Sequence, residues 1–226
     1  GEKTLEDLIA VADQFTPEGK VIEIEEHGNG KINDTFLVTL DSKGEKHFIL
    51  QRINTHVFRQ PELVMQNMRT FSEHVAKRLH QSPLRPDRRW EVVRVLLTGD
   101  GQDHWIDAKG SFWRGLSFID GSKSFETIEN IAHAREVGYA VGMFHNLLSD
   151  LPSVRLADTL EGFHITPLYL DHYDEVLAKK GERKSAEENH AFRFVKERRG
   201  WAHILENAKG QGKLRLRPIH GDPKVN

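Results

Sequence analysis

The sequence has no cysteine among its 226 residues. Disulfides and thiolate metal sites are therefore excluded, and the chain is compatible with a reducing compartment. It also lacks any long hydrophobic run. Nothing approaches the roughly 18 consecutive apolar residues that a membrane span requires. The opening Gly1-Glu2-Lys3 has neither the basic stretch nor the apolar core of a signal peptide, so a cytoplasmic protein is expected. Neither sign of charge is in excess: 32 basic and 34 acidic residues leave a net charge of -2. That balance gives no electrostatic case for nucleic acid or an anionic membrane as a partner. Thirteen histidines are present, yet none falls in H-E-x-x-H or another metal-binding spacing.

What the sequence does contain is 38% hydrophobic residues, enough for one large domain or two smaller ones with real cores. Thr4 followed by Asp7 reads as a capping box, with Leu5, Leu8, Ile9 and Ala12 on one helical face behind it. Three strand-like runs follow: Val21 to Glu26, Thr35 to Leu40 and His47 to Ile53. Pro61 suits a first helical position, and Leu63, Met68, Phe71, Val75 and Leu79 give that helix an apolar face. Further strands are expected at Glu91 to Leu97, His104 to Asp107 and Ser111 to Ile119. After Asp120-Gly121 the texture becomes helical, over Ile128 to Leu148, Leu168 to Ala178 and Glu187 to Asn207. A short strand at Leu214 to Ile219 then leads into His220-Gly221-Asp222. The four tryptophans read as core residues, and His145 as a packing residue near the end of its helix. The order predicts an α+β protein of two lobes: a small antiparallel β lobe with one helix over residues 1–120, and a mostly helical lobe over 121–226.

Several of these stretches carry residues suited to phosphoryl transfer, which needs a cover over the phosphates, a polar clamp, metal ligands and a group that orients the acceptor hydroxyl. Gly28-Asn29-Gly30 joins the first two strands, where glycine lets backbone N–H groups approach phosphate oxygens. In the G-x-G-x-x-G pattern the third glycine position is held by Asn33. A kinase third strand ends V-A-I-K, with a lysine as clamp; here the run is Phe48-Ile49-Leu50-Gln51-Arg52. Alternation puts Gln51 on the face of Ile49 and Arg52 on the other, so either Gln51 binds phosphate as a neutral donor or a bulge lets Arg52 do so. Glu62 and Glu73 are the acids available to the following helix, and both read as exposed. His220-Gly221-Asp222 matches the start of the catalytic loop H-R-D-x-x-x-x-N, in which the Asp takes the acceptor's proton and the Asn holds Mg²⁺. Counted from Asp222, that Asn position falls one residue after Asn226.

His-Gly-Asp in place of His-Arg-Asp resembles the aminoglycoside-phosphotransferase-like kinases, a group that includes choline and homoserine kinases. Three further stretches, Gly30 to Phe36, Phe48 to Asn54 and Glu161 to Pro167, resemble the N-acetylhexosamine 1-kinase branch. The resemblance implies a protein-kinase-like fold, incomplete at its C-terminal end, with the metal ligands lying after Asn226. It implies ATP and Mg²⁺ as cofactors and a sugar-like hydroxyl as acceptor. It makes His220 and Asp222 the catalytic-loop residues, with Asp222 also meeting the acceptor. Gly28, Asn29, Gly30, Asn33 and Gln51 or Arg52 would hold the phosphates. Phe118 to Gly121, including Asp120, would be the hinge that binds adenine. His164 would face the sugar. An aminoglycoside-type acceptor on the same machinery, or a kinase-like binding module without turnover, are the alternatives; the missing lysine suggests the second.

Overall fold

The computed structural model describes residues 4–16, 19–28, 30–181 and 185–223. Contacts divide the chain into two compact units, one of residues 1–159 with 222–226 and one of residues 160–221. The boundary expected near Asp120 falls inside the first unit, because the helix that follows it packs on the helix that precedes it.

The first unit is built on an antiparallel sheet. Its strands are β1 (Lys20–Glu26), β2 (Asp34–Asp41), β3 (His47–Ile53), β4 (Val95–Leu96), β5 (Trp105–Ile106) and β6 (Phe112–Ser117). The order is β1-β2-β3-β6-β4, with β5 paired to β6. Alternation sorts side chains onto two faces. One face carries Val38, Phe48, Leu50 and Trp113, covered by Leu8, Val11 and Ala12 of α1 (Leu5–Ala12) and by Phe15. Full burial of a side chain such as Phe48 or Leu50 contributes about 1.5–3 kcal/mol. Helix α1 begins where expected: the Thr4 hydroxyl accepts the Asp7 N–H at 3.2 Å. The Asp7 carboxylate reaches Lys109 Nζ at 3.1 Å, which holds its pKa below the ordinary value.

The opposite face receives α2 (Pro61–Gln81), through Ile53, Met65 and Phe112. Glu62 and Glu73 are exposed on α2, as expected. The far half of α2 packs on α3 (Ile131–Leu147): Val75, Leu147, Leu148 and Leu151 form the centre of that cluster, with Phe71 and Leu79 against it. Asn67 of α2 holds the segment after α3 by two hydrogen bonds to the Ala157 backbone, at 2.8 and 2.7 Å.

The second unit contains α4 (Thr166–Lys180), α5 (Ala186–Arg198) and α6 (Ile204–Gly210). Ser185 and Glu188 form a capping box at the start of α5. Asp174 of α4 pairs with Arg199 beyond α5, and the guanidinium lowers the carboxyl pKa.

Five expectations are corrected. Glu91 to Leu97 shortens to the two residues of β4, because the Arg94 N–H bonds the Ser117 hydroxyl rather than a ladder carbonyl. The helix expected over Glu187 to Asn207 is two helices, interrupted by a 3₁₀ turn at Arg199–Trp201 that contains Gly200. Leu214 to Ile219 forms no strand: Leu214, Leu216 and Ile219 are exposed and pair with no strand among the described residues, and an unpaired strand is not stable. Trp113 is fully buried but Trp201 is 68% exposed, and His145 is exposed on α3. Among the described residues no helix is long and apolar enough to cross a membrane.

Candidate active site

The register of the sheet resolves Gln51 and Arg52. Strand β3 pairs without interruption to β2 and to β6, with Thr35 and Arg114 opposite Gln51, and Asp34 and Trp113 opposite Arg52. There is no bulge, so the two side chains point to opposite faces. Arg52 pairs with Asp34 and lies 5.8 Å from the centre of the Trp113 ring, on the α1 face. Gln51 lies on the α2 face. Its amide nitrogen donates to Thr35 Oγ1 at 2.9 Å, and its amide oxygen accepts from Arg114 Nε at 2.9 Å and from the second terminal nitrogen at 2.6 Å. Arg114 also reaches the Met68 sulfur at 3.2 Å. Burial lowers the Arg114 pKa to about 10.

The same face continues toward the β1–β2 loop. Phe118, just past β6, lies edge-on to the His27 ring at 5.9 Å and tilted against the His47 ring at 5.7 Å. Three flat rings thus sit on the sheet face that carries Gln51 and Arg114. In the loop, Gly28 has φ +79° and open space around it, a conformation that a side chain would strain. Asn33, at the position of the missing third glycine, accepts the Asn54 N–H on its side-chain oxygen at 2.8 Å and ties the loop to the end of β3. Asn29 lies outside the described residues. The Asp120 carbonyl in the expected hinge accepts from Arg89 at 2.9 Å, and Ile119 O accepts from the Ser122 hydroxyl at 3.0 Å.

A cavity of about 710 Å³ opens beneath the loop, lined by His27, Gly28, Gly30, Asn33 and Thr35 together with Arg52 and Trp113, and by Leu5 and Leu8 of α1. Gln51 and Arg114 are not among its lining residues, while the loop residues Gly28, Gly30 and Asn33 share it with Arg52.

In the second unit, His164 has φ +62°, the one non-glycine residue with positive φ among the described residues. Its Nε2 meets the Gly221 carbonyl, its ring lies 3.9 Å from the Phe163 ring, and its N–H donates to the Tyr169 hydroxyl at 2.7 Å. Gly221 has φ +84°, so a residue with a Cβ at that point of the loop would be strained. Strain of this kind persists only where neighbours enforce it, and here His164 and Gly221 do so together. Among the described residues no group of three or more His, Asp or Glu converges as a metal site.

Residues 23–226 match the phosphotransferase enzyme family known as APH. The chain belongs to that family. Two solved structures are similar to it in part. An amicoumacin kinase in complex with AMP-PNP, Ca²⁺ and Ami shares 16% identity over 81% of this chain and 55% of its own, with a TM-score of 0.48. A spectinomycin phosphotransferase in complex with ADP and spectinomycin shares 12% identity over 96% of this chain and 60% of its own, also at 0.48. The chain thus spans between half and two thirds of the length of these two proteins.

Within the first unit, Gly28, Gly30, Asn33 and Arg52 line one cavity, whereas Gln51 lies on the other face of β3 from Arg52, bonded to Thr35 and Arg114. His164 is joined to Gly221 of the His-Gly-Asp loop. Arg114, Thr35, His27 and His47 are the residues that sequence reasoning missed. A signal for Arg114 is present: it is the one charged residue within the apolar run Phe112 to Leu116.

Proposed function

We propose that this protein is an ATP-dependent phosphotransferase that transfers the γ-phosphoryl group to a small-molecule hydroxyl, and that the acceptor is the anomeric hydroxyl of an N-acetylhexosamine. The observation that carries the nucleotide half is the α2 face of the sheet, where Gln51, Thr35 and Arg114 stand beside the aromatic group of Phe118, His27 and His47. The rings offer a platform for a purine, and the amide and guanidinium offer donors for phosphates. The Gly28–Asn33 loop would cover the phosphates, with Gln51 as clamp. Asp222 would orient the acceptor hydroxyl and take its proton as the acceptor oxygen bonds to the γ-phosphorus, the bond to the bridging oxygen breaks and ADP leaves. His220 would accompany it in the loop. His164 would act on the acceptor through the loop, since its Nε2 is engaged by Gly221. Magnesium bound to the nucleotide would offset phosphate charge.

The neutral acceptor is supported by charge. A polycation such as an aminoglycoside favours a cleft lined with carboxylates. Residues 161–200 contain eight acidic and eight basic residues. Asp174 is already paired with Arg199, and Glu197 with Arg198. A coupled ADP-release assay of the full-length protein, run over a panel of hexosamines and aminoglycosides, tests this reading. Turnover with N-acetylglucosamine or N-acetylgalactosamine and little with kanamycin-like amines is expected. Preference for the cations, with a steep loss of rate in salt, would overturn the sugar assignment and leave the phosphotransferase.

A further inference from the structure

The third strand of this phosphotransferase lacks the lysine that V-A-I-K kinases use to hold ATP, and Gln51 stands in its place. A neutral amide alone is a weak clamp for a triphosphate. The structure places a cation one strand away. Arg114 of β6 is directly opposite Gln51 in the ladder, and two of its N–H groups converge on the Gln51 amide oxygen. Its remaining neighbours on α2 are the sulfurs of Met65, at 4.0 Å, and Met68. Arg114 pairs with no carboxylate among the described residues. A sheltered guanidinium usually has an acid beside it, because desolvating an unpaired charge is costly. On α2 the places that reach toward Arg114 are held by methionine, while Glu62 and Glu73 are exposed.

We propose that Arg114 is the cation of the phosphate clamp, acting through Gln51, and that a nucleotide polyphosphate is the acid it lacks. Its two hydrogen bonds fix the amide so that the NH₂ group faces away from β6, toward Thr35 and, with nucleotide bound, toward phosphate oxygens. They also polarise the amide, which strengthens it as a donor. The charge that other kinases carry on β3 is thereby moved to β6 and relayed by a glutamine. The lowered pKa of Arg114, caused by burial, is consistent with a cation held without its counter-ion. This rests on the nucleotide-binding reading above.

The test is binding of ATP, ADP and adenosine to the full-length protein by calorimetry, with thermal melts alongside. Arg114→Met adds an apolar side chain beside Met65 and Met68 and removes the unpaired charge. It is expected to melt no lower than the unaltered protein, to bind ATP and ADP about 10–100-fold more weakly, the worth of a charge-assisted hydrogen bond, and to bind adenosine unchanged. Arg114→Lys, which keeps the charge but not the fork, should fall between. The double variant Gln51→Lys with Arg114→Met returns the charge to β3 and should recover ATP affinity. ATP binding that is unaffected in Arg114→Met overturns the proposal, as does equal weakening of adenosine or failure of the folded double variant to recover. Absence of any nucleotide binding by the unaltered protein overturns the nucleotide-binding reading itself, and this proposal with it.

Discussion

Gln51 and Arg52 are adjacent in the sequence and sit on opposite faces of one strand. Arg52 is held by Asp34 on the α1 face, with its side chain 31% exposed. An ion pair at that level of exposure contributes at most about 1 kcal/mol. Arg52→Ala is therefore expected to lower stability by no more than that and to leave ATP affinity intact, whereas Gln51→Ala should weaken ATP; titration of both variants with nucleotide decides the order, and the reverse order would mean that Arg52 reaches the phosphates. His164 is the second residue whose role turns on geometry. If its contact with Gly221 sets the loop, His164→Ala should lower kcat while leaving ATP affinity unchanged, and Gly221→Ala should do the same, because a Cβ at φ +84° strains the same turn. Steady-state kinetics with the KM for ATP measured separately would show it.

At the level of elements, what was legible in the sequence was what repeats. Strands β1 to β3 and helix α2 are marked by alternation or by a helical stripe, and their limits agree with the structure to within about two residues. What could not be read depends on partners. Leu214 to Ile219 alternates like a strand, yet no neighbouring strand supplies a ladder. The charge at Arg114 looks like any strand charge until the register sets it opposite Gln51. The continuity of the helix after Glu187 depended on Gly200, whose cost in a helix interior is about 1 kcal/mol relative to alanine. The link from α4 to the turn after α5 makes a pH prediction. Asp174 has a folded pKa below 3.8 because of Arg199. Its contribution is present above that unfolded value and is lost as pH falls through the lower folded value. Melts of the unaltered protein and of Asp174→Asn should therefore differ near neutral pH and converge in acid; curves that stay parallel would show that the pair adds nothing.

At the scale of the whole molecule, the α+β character and the succession of a β part and a helical part follow from the order of patterns along the chain. The division into units does not. It falls after Thr159 because α3 is held to α2 by Val75, Leu147, Leu148 and Leu151, a contact that no local pattern announces. Family membership rests on nearly the whole length, residues 23–226. The candidate site is legible at its two short motifs, the loop glycines and His-Gly-Asp, while its rings and its cation emerge only from the sheet. The central claim is that Asp222 serves phosphoryl transfer from a nucleotide bound on the α2 face. Single-turnover transfer from labelled ATP to N-acetylglucosamine by the full-length protein, compared with Asp222→Asn, tests it most directly. The account predicts a rate lower by ~10²–10⁴ in the variant, the worth of a positioned general base, with ATP affinity nearly unchanged. An equal rate in both proteins would contradict it.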